Sequence, residues 1–377
     1  MDMLFELLIA NGCVISTKEY KLIKRLLEKS LDDIIVDIEK TVYKYLDIDD
    51  FGVNNLSIGI KIEDFEFIFE KPSNCKNRLY DIASITKLIT LKYCYDLQEK
   101  GLIDFNGLAS DYVDFPNLKK CKIIDILKMK NKIETCGKLS SAKNESDFLK
   151  ILYTVNYTIT NKKVYTDVGF VLLGKILENI YNQEHNVYKK YSFIINEYLN
   201  KQLKLKNTMY NPGNEYKLVG NGNNKMLPHD PKTKINGGFT GAAGLFSNSA
   251  DFIIISEKLF EYKFFSKKFF DKILNYNFLD ENNRRRSYAG LYLKTLNNKS
   301  SYVPDLFSKY SIAHQGYTGS IVVFDLFTKI HFSILVDAID KKTNVKSENF
   351  FKYMHELKNK IALFCMVIYL SKQKEKM

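Results

Sequence analysis

The chain has 377 residues, enough for two or three structural units around sizeable cores. Its apolar fraction of 45% and charged fraction of 27% are those of an ordinary folded protein, which excludes a chain dominated by disorder. The net charge of +12 (56 basic against 44 acidic residues) is dispersed. Its tightest clusters are Arg284-Arg285-Arg286 and the run Lys372 to Lys376, so no nucleic-acid partner is expected.

The start, Met1 to Ala10, is apolar but short, carries Asp2 and Glu6 and lacks a basic leader, so it reads poorly as a signal peptide. No apolar run reaches the roughly 18 residues of a transmembrane segment. A cytoplasmic location is therefore expected. Residues 1–30 are read as an N-terminal helical extension and 31–377 as the main domain.

Leu22, Ile23, Leu26 and Leu27, then Ile34, Ile35, Ile38 and Val42, recur at three-and-four spacing and predict helix over 16–46. Alternation of Leu56, Ile58, Ile60 and Ile62, a turn at Glu63-Asp64 and Phe65 to Phe69 predict a hairpin. From 84 to 240 the pattern is mainly helical. One helix runs through Leu88, Leu91, Tyr95 and Leu97 to a stop at Gly101; others cover Ile123 to Met129 and Val168 to Ile180. Sheet returns with Ala289 to Thr295 and a second hairpin, Ser320 to Asp325 and Ile330 to Asp337; an amphipathic helix closes over 347–371.

Strands at both ends thus flank a helical middle. The expected fold is α+β: an antiparallel sheet from the N- and C-terminal segments (31–83 and 245–377) flanked by helices, with a mainly helical subdomain (84–244) inserted. An active site belongs in the cleft between the two parts. The six cysteines, Cys13, Cys75, Cys94, Cys121, Cys136 and Cys365, form no C-x-x-C pair and have no histidines at metal-ligand spacing. They are read as mostly free thiols in a reducing compartment, and no metal or organic cofactor is expected.

Ser84-Ile-Thr-Lys87 is the first candidate for chemistry. A serine hydroxyl needs a base to become a nucleophile. On a helix Lys87 lies one turn on, roughly 4.5 Å along the axis, so both side chains reach one point. The same spacing occurs at Ser73/Lys76, Ser140/Lys143 and Ser371/Lys374. Ser84 differs in context: it follows the strand-like Leu79-Tyr-Asp-Ile-Ala and opens a strongly apolar helix.

Tyr80-Asp-Ile-Ala-Ser-Ile-Thr-Lys-Leu-Ile-Thr and the later Leu97-Gln-Glu-Lys-Gly-Leu-Ile-Asp resemble the β-lactamase-related serine hydrolases. That family embraces class C β-lactamases, penicillin-binding proteins and class VIII carboxylesterases. Tyr165-Thr-Asp167 resembles its Tyr-x-Asn or Tyr-Ser-Asp motif, and His314-Gln-Gly316-Tyr317-Thr-Gly its Lys-Thr-Gly motif in the His-Thr-Gly variant. The resemblance implies Ser84 as nucleophile, Lys87 as its proton acceptor and Tyr165 as proton shuttle to the leaving group. Asp167, where class C β-lactamases carry Asn, would hold Lys87 protonated and shift the base role towards Tyr165. His314 would be a polar or cationic wall of the site, and Gly316 would let substrate lie close to the strand. The backbone N–H groups of Ser84 and Tyr317 would form the oxyanion hole.

A further stretch, His229-Asp-Pro and Gly237-Gly-Phe-Thr-Gly-Ala-Ala-Gly-Leu-Phe-Ser, resembles a segment of esterase-like members, with Ala242 where those often carry His. Its glycines suggest tight backbone packing beside the cleft. The implied activity is cofactor-free hydrolysis of a small ester, amide or peptide through an acyl-enzyme, carboxylesterase-like first. The alternatives are a D-alanyl-D-alanine peptidase, a β-lactamase or a non-catalytic ligand-binding homologue.

Overall fold

The computed structural model describes residues 2–73, 78–219, 227–295, 302–339 and 346–376. Its main sheet has eight antiparallel strands in the order 65–71, 56–62, 330–337, 319–325, 311–315, 292–293, 285–286, 278–279. The early hairpin joins the late strands directly, Leu56 lying opposite Val336 and Ile62 opposite Ile330. Chain ends distant in sequence therefore close one sheet, as expected.

Alternation sorts these strands between two cores. Ile321, Val323, Phe332 and Ile334 face the terminal helices; Val322, Phe324 and Leu335 face the helical part. The last helix, Phe350–Glu375, covers the first face with Leu357, Ile361, Cys365 and Ile368, all buried. Residues 1–30 are helical at Asp2–Ala10 and Thr17–Leu26, and their Phe5, Leu8, Ile23 and Leu26 belong to this same core.

Three elements differ from expectation. The helix over 16–46 is two, because Ser30 accepts a hydrogen bond from the Asp33 amide and starts Leu31–Leu46 afresh. The strand expected over 289–295 shrinks to Tyr292–Leu293; before it Ala289 takes a left-handed φ of 56° in a tight turn. Within the helical part, Lys130–Glu134 pairs with Asn156–Lys163 as a two-stranded ribbon.

Helices Thr86–Glu99 and Asp167–His185 form the centre of the helical part. The second approaches the glycine-rich segment so closely that a Cβ on Gly241 would lie 2.3 Å from the Phe170 carbonyl oxygen. Only glycine permits that approach. Among the described residues no helix is long and apolar enough to cross a membrane. Cys13, Cys94, Cys121 and Cys365 are buried free thiols and Cys136 is exposed and free; Cys75 lies outside the described residues.

Candidate active site

The segment that carries Ser84 is set by a strand, a kink and a helix. Arg78–Asp81 pairs with Phe246–Ser247. Ala83 then turns the chain with φ 45°, and Ser84 sits in the short turn Ala83–Ile85 that runs into helix Thr86–Glu99. Asp81 fixes the kink: its Oδ1 accepts from the Ala83 amide at 2.9 Å and its Oδ2 from the His229 amide at 2.6 Å. Burial pushes the Asp81 carboxyl up to about 6, against those two hydrogen bonds. Sequence reasoning missed this residue, although it lies inside the motif.

Lys87 is fully buried; its ammonium donates to Ser84 Oγ at 2.9 Å and to the Ala242 carbonyl at 3.1 Å and forms an ion pair with Asp167 Oδ1 at 2.8 Å. A charged ammonium is a donor only, so in this state Lys87 has no lone pair to take the Ser84 proton. Burial opposes the charge on Lys87, but Asp167 and Tyr165 outweigh it and hold the amine above its usual range. The other Asp167 oxygen meets Lys232 at 3.2 Å, and Lys232 meets Asp230 at 2.8 Å. Burial raises the Asp167 carboxyl, yet Lys87 and Lys232 more than reverse this and hold it well below the carboxylate range. Lys232 carried no signal in the sequence beyond its place after His229-Asp-Pro.

Tyr165 precedes helix Asp167–His185, whose start is capped by Thr166 Oγ1 accepting from the Val168 amide at 3.2 Å. Its ring centroid lies 5.1 Å from Lys87 Nζ and 4.5 Å from the Arg286 guanidinium carbon. Ser84, Lys87, Tyr165 and Asp167 are thus brought together.

The strand Ser311–Gln315 and the turn after it form the opposite wall. Gly316 lies against the segment that carries Ser84: a Cβ there would be 2.6 Å from the Ile82 carbonyl oxygen. Its role is close packing of strand on kink. Gln315, Gly316 and Tyr317 line the cleft with Ser84 and Tyr165. His314, expected as a polar or cationic wall, does not line the cleft as a cation. Its side chain is buried with Nε2 3.1 Å from the Ala289 carbonyl and Nδ1 3.2 Å from that of Gln315. Burial, then the charge of Lys87, pushes the imidazole down to about 3, so it is neutral. Alternation explains this: His314 shares the inward face with Ile312, and Gln315 turns to the cleft.

The Ser84 and Tyr317 amides take part in none of the backbone hydrogen bonds among the described residues. The Tyr317 ring is exposed and stacked on His229 at 5.4 Å, with Lys346 Nζ 3.9 Å above it. The cleft of about 900 Å3 runs on past Arg284, Arg286, Lys346 and Lys352 to the last helix. Among the described residues no group of histidine, cysteine and carboxylate side chains is arranged to hold a metal.

A half-buried serine hydrogen-bonded to a buried lysine, lining a cleft, is an arrangement suited to a serine hydrolase. The chain belongs to the Beta-lactamase family, whose family model matches residues 71–339. It is 28% identical over 298 residues to a Salmonella gallinarum protein described as "Putative D-alanyl-D-alanine carboxypeptidase", covering 66% of this chain and 67% of the relative. Two solved structures share the fold. FmtA from Staphylococcus aureus superposes with a TM-score of 0.63 at 18% identity, over 93% of this chain and 95% of that one. The D-amino acid amidase of Ochrobactrum anthropi does so with 0.62 at 15%, over 89% and 99%. The protein is a serine hydrolase of this family, acting on an ester or amide.

Proposed function

We propose that Ser84 forms an acyl-enzyme, that Tyr165 shuttles the protons and that Lys87 serves as a fixed cation rather than as proton acceptor. The observation that carries this is the ion pair between the fully buried Lys87 ammonium and Asp167 at 2.8 Å, beside its hydrogen bonds to Ser84 Oγ and the Ala242 carbonyl. Ser84 Oγ attacks the substrate carbonyl carbon. Its proton passes to the Tyr165 oxygen as Tyr165 hands its own proton to the departing nitrogen or oxygen, and the carbonyl carbon's bond to that atom breaks. Water then reverses the relay, releasing the acid and restoring the Ser84 hydroxyl. The Ser84 and Tyr317 amides receive the oxyanion, each contributing about 3 kcal/mol to the barrier reduction.

An amide substrate carrying a carboxylate is favoured over a simple carboxyl ester. Arg284, Lys346 and Lys352 line the cleft, which suits an anionic group. One relative is described as a D-alanyl-D-alanine carboxypeptidase and one neighbour in fold as a D-amino acid amidase. The glycine-rich segment behind the esterase expectation supports Lys87 through the Ala242 carbonyl and packs against Phe170, with Ala242 itself buried. The free thiols favour the reducing compartment expected from the sequence.

Intact mass after incubation with a fluorophosphonate tests the nucleophile. One adduct on the Ser84 peptide, absent in Ser84→Ala, is the expected result; an undiminished adduct in that variant rejects it. Turnover of a D-alanyl-D-alanine dipeptide, nitrocefin and p-nitrophenyl butyrate then ranks the substrates. No adduct with any probe returns the chain to the non-catalytic reading.

A further inference from the structure

In the site as built, the third motif supplies no charge, since His314 is buried and neutral. A cation comes from another element. Arg286, on the short strand Arg285–Arg286, places its guanidinium carbon 4.5 Å from the Tyr165 ring centroid and 4.1 Å from that of Tyr292. Every side of its fork is held: Nε donates to Asp280 Oδ2 at 2.7 Å, Nη1 to the Gly290 carbonyl at 3.0 Å and Nη2 to the Tyr292 hydroxyl at 2.7 Å. Gly290 is itself pressed on Tyr165, where a Cβ would lie 2.4 Å from ring atom Cε2. The unusual turn at Ala289 and Gly290 thus seats both the arginine and the tyrosine.

We propose that Arg286 is the positioning residue of this site: it fixes the Tyr165 ring and supplies, with Lys87, the second positive charge that favours negative charge on the phenol oxygen during the proton relay. The proposal rests on Tyr165 being the relay. Guanidinium over an aromatic face is attractive, and a cation at this range stabilises an adjacent anion. The charged groups around Tyr165 are Lys87 and Lys232 with their shared partner Asp167, Arg286 with its partner Asp280, Arg284 on the same cleft wall, and Glu281 across the neighbouring one. Asp167 is tied to Lys87 and Lys232, and Asp280 to Arg286. Lysine at 286 would keep the charge and lose the fork.

The test is the rate of Ser84 labelling by a fluorophosphonate between pH 5.5 and 9.5, read by intact mass, in the full chain. Arg286→Gln is expected to slow labelling about tenfold or more at pH 7 and to move the half-maximal pH up by about one unit, so that the loss narrows in alkali. Arg286→Lys is expected to keep the wild-type half-maximal pH with a lower plateau. An unshifted profile in Arg286→Gln, or an equal shift in Arg286→Lys, overturns the proposal. If Arg286→Gln does not fold, Asp280→Asn decides. It leaves the cation and frees the fork, so the plateau falls at an unshifted half-maximal pH; a plateau equal to wild type overturns the positioning role. Tyr165→Phe separates the two levels. Retained labelling in Tyr165→Phe rejects the relay itself; lost labelling there with an unshifted Arg286→Gln rejects Arg286 alone.

Discussion

The Lys87 ammonium and the Asp167 carboxylate lie 2.8 Å apart, one fully buried and the other a third exposed. Asp167 is held below its unfolded value, so its contribution to stability is lost only as pH falls below about 4. Lys87 is held above its own, so its contribution is lost only as pH rises past about 10.4. Between those limits the pair is intact. Asp167→Asn leaves a buried ammonium with neutral acceptors and a solvated edge, which costs about 2 kcal/mol in urea unfolding at pH 7. The variant's Lys87 then gives up its proton more easily, so Ser84 labelling should fall about tenfold by pH 9.

Asp81 joins two loops through two amides that only a carboxylate or an equivalent pair of oxygens can accept together. Asn offers one oxygen, so Asp81→Asn releases either Ala83 or His229. A hydrogen bond to a charged group contributes about 1.5–3 kcal/mol, and here its loss loosens the kink that aims Ser84. The expected outcome is at least a tenfold fall in labelling rate with Ser84 still present. Wild-type kinetics in this variant would dismiss the positioning role.

These two carboxylates also show what the sequence could carry. Motif order exposed Ser84, Lys87, Tyr165 and Asp167, because helical spacing and local context are one-dimensional properties. Alternation likewise marked the strands 56–62, 319–325 and 330–337, whose apolar residues face two cores. It failed at Lys130–Glu134, where the inward position is a buried polar Asn131 whose Oδ1 accepts from the Thr160 amide at 3.0 Å. It failed also at Ser30, where a cap interrupts one continuous apolar stripe. Lys232 and Arg286 reach the site from segments far along the chain, and nothing in their neighbours announces it. His314 was read from its motif alone, without the strand phase that turns it inward.

Gly316 is a sharper probe of sheet-to-kink packing than any side-chain deletion. Its φ lies outside the left-handed region that glycine alone favours, so Gly316→Ala acts through contact alone. The new methyl would meet the Ile82 backbone oxygen at 2.6 Å, and backbone cannot rotate away. Overpacking of this kind costs about 1–3 kcal/mol. Labelling should fall more than tenfold while thermal unfolding drops by only a few degrees.

Lys346 bears on the proposed carboxylate. Burial lowers its amine to about 8, with Asp337 opposing. Below that pH it is a cation over the Tyr317 ring, and above it the charge is lost. Preference for p-nitrophenyl hydrogen succinate over p-nitrophenyl butyrate, taken as a ratio of kcat/KM, should therefore fall as pH rises from 7 to 9. Lys346→Met should lower the ratio about tenfold at pH 7 and flatten its pH dependence. A ratio that stays constant in the wild type would remove Lys346 from substrate recognition.

Below neutrality, buried His314 and His331 act against buried Asp81. His314 and His331 are buried, and burial pushes each down to about 3. His331 makes one bond, from Nδ1 to the Val323 carbonyl at 2.9 Å, while its buried Nε2 has no partner among the described residues, so a second proton there would be unsatisfied. Unfolded histidine titrates near 6.5, so the unfolded chain binds more protons between about pH 3 and 6.5, and stability must rise with pH across that window. Each histidine contributes several kcal/mol over the full range. Asp81, raised to about 6, works in the opposite direction, with stability falling by about 3 kcal/mol between pH 4 and 6. Two histidines outweigh one carboxyl, so the urea midpoint should climb from pH 4.5 to 6.5. His331→Phe keeps the ring stacked on Phe324, now 4.6 Å away, and removes one titration. It should remove most of that climb without moving the pH profile of Ser84 labelling, because His331 lies outside the cleft.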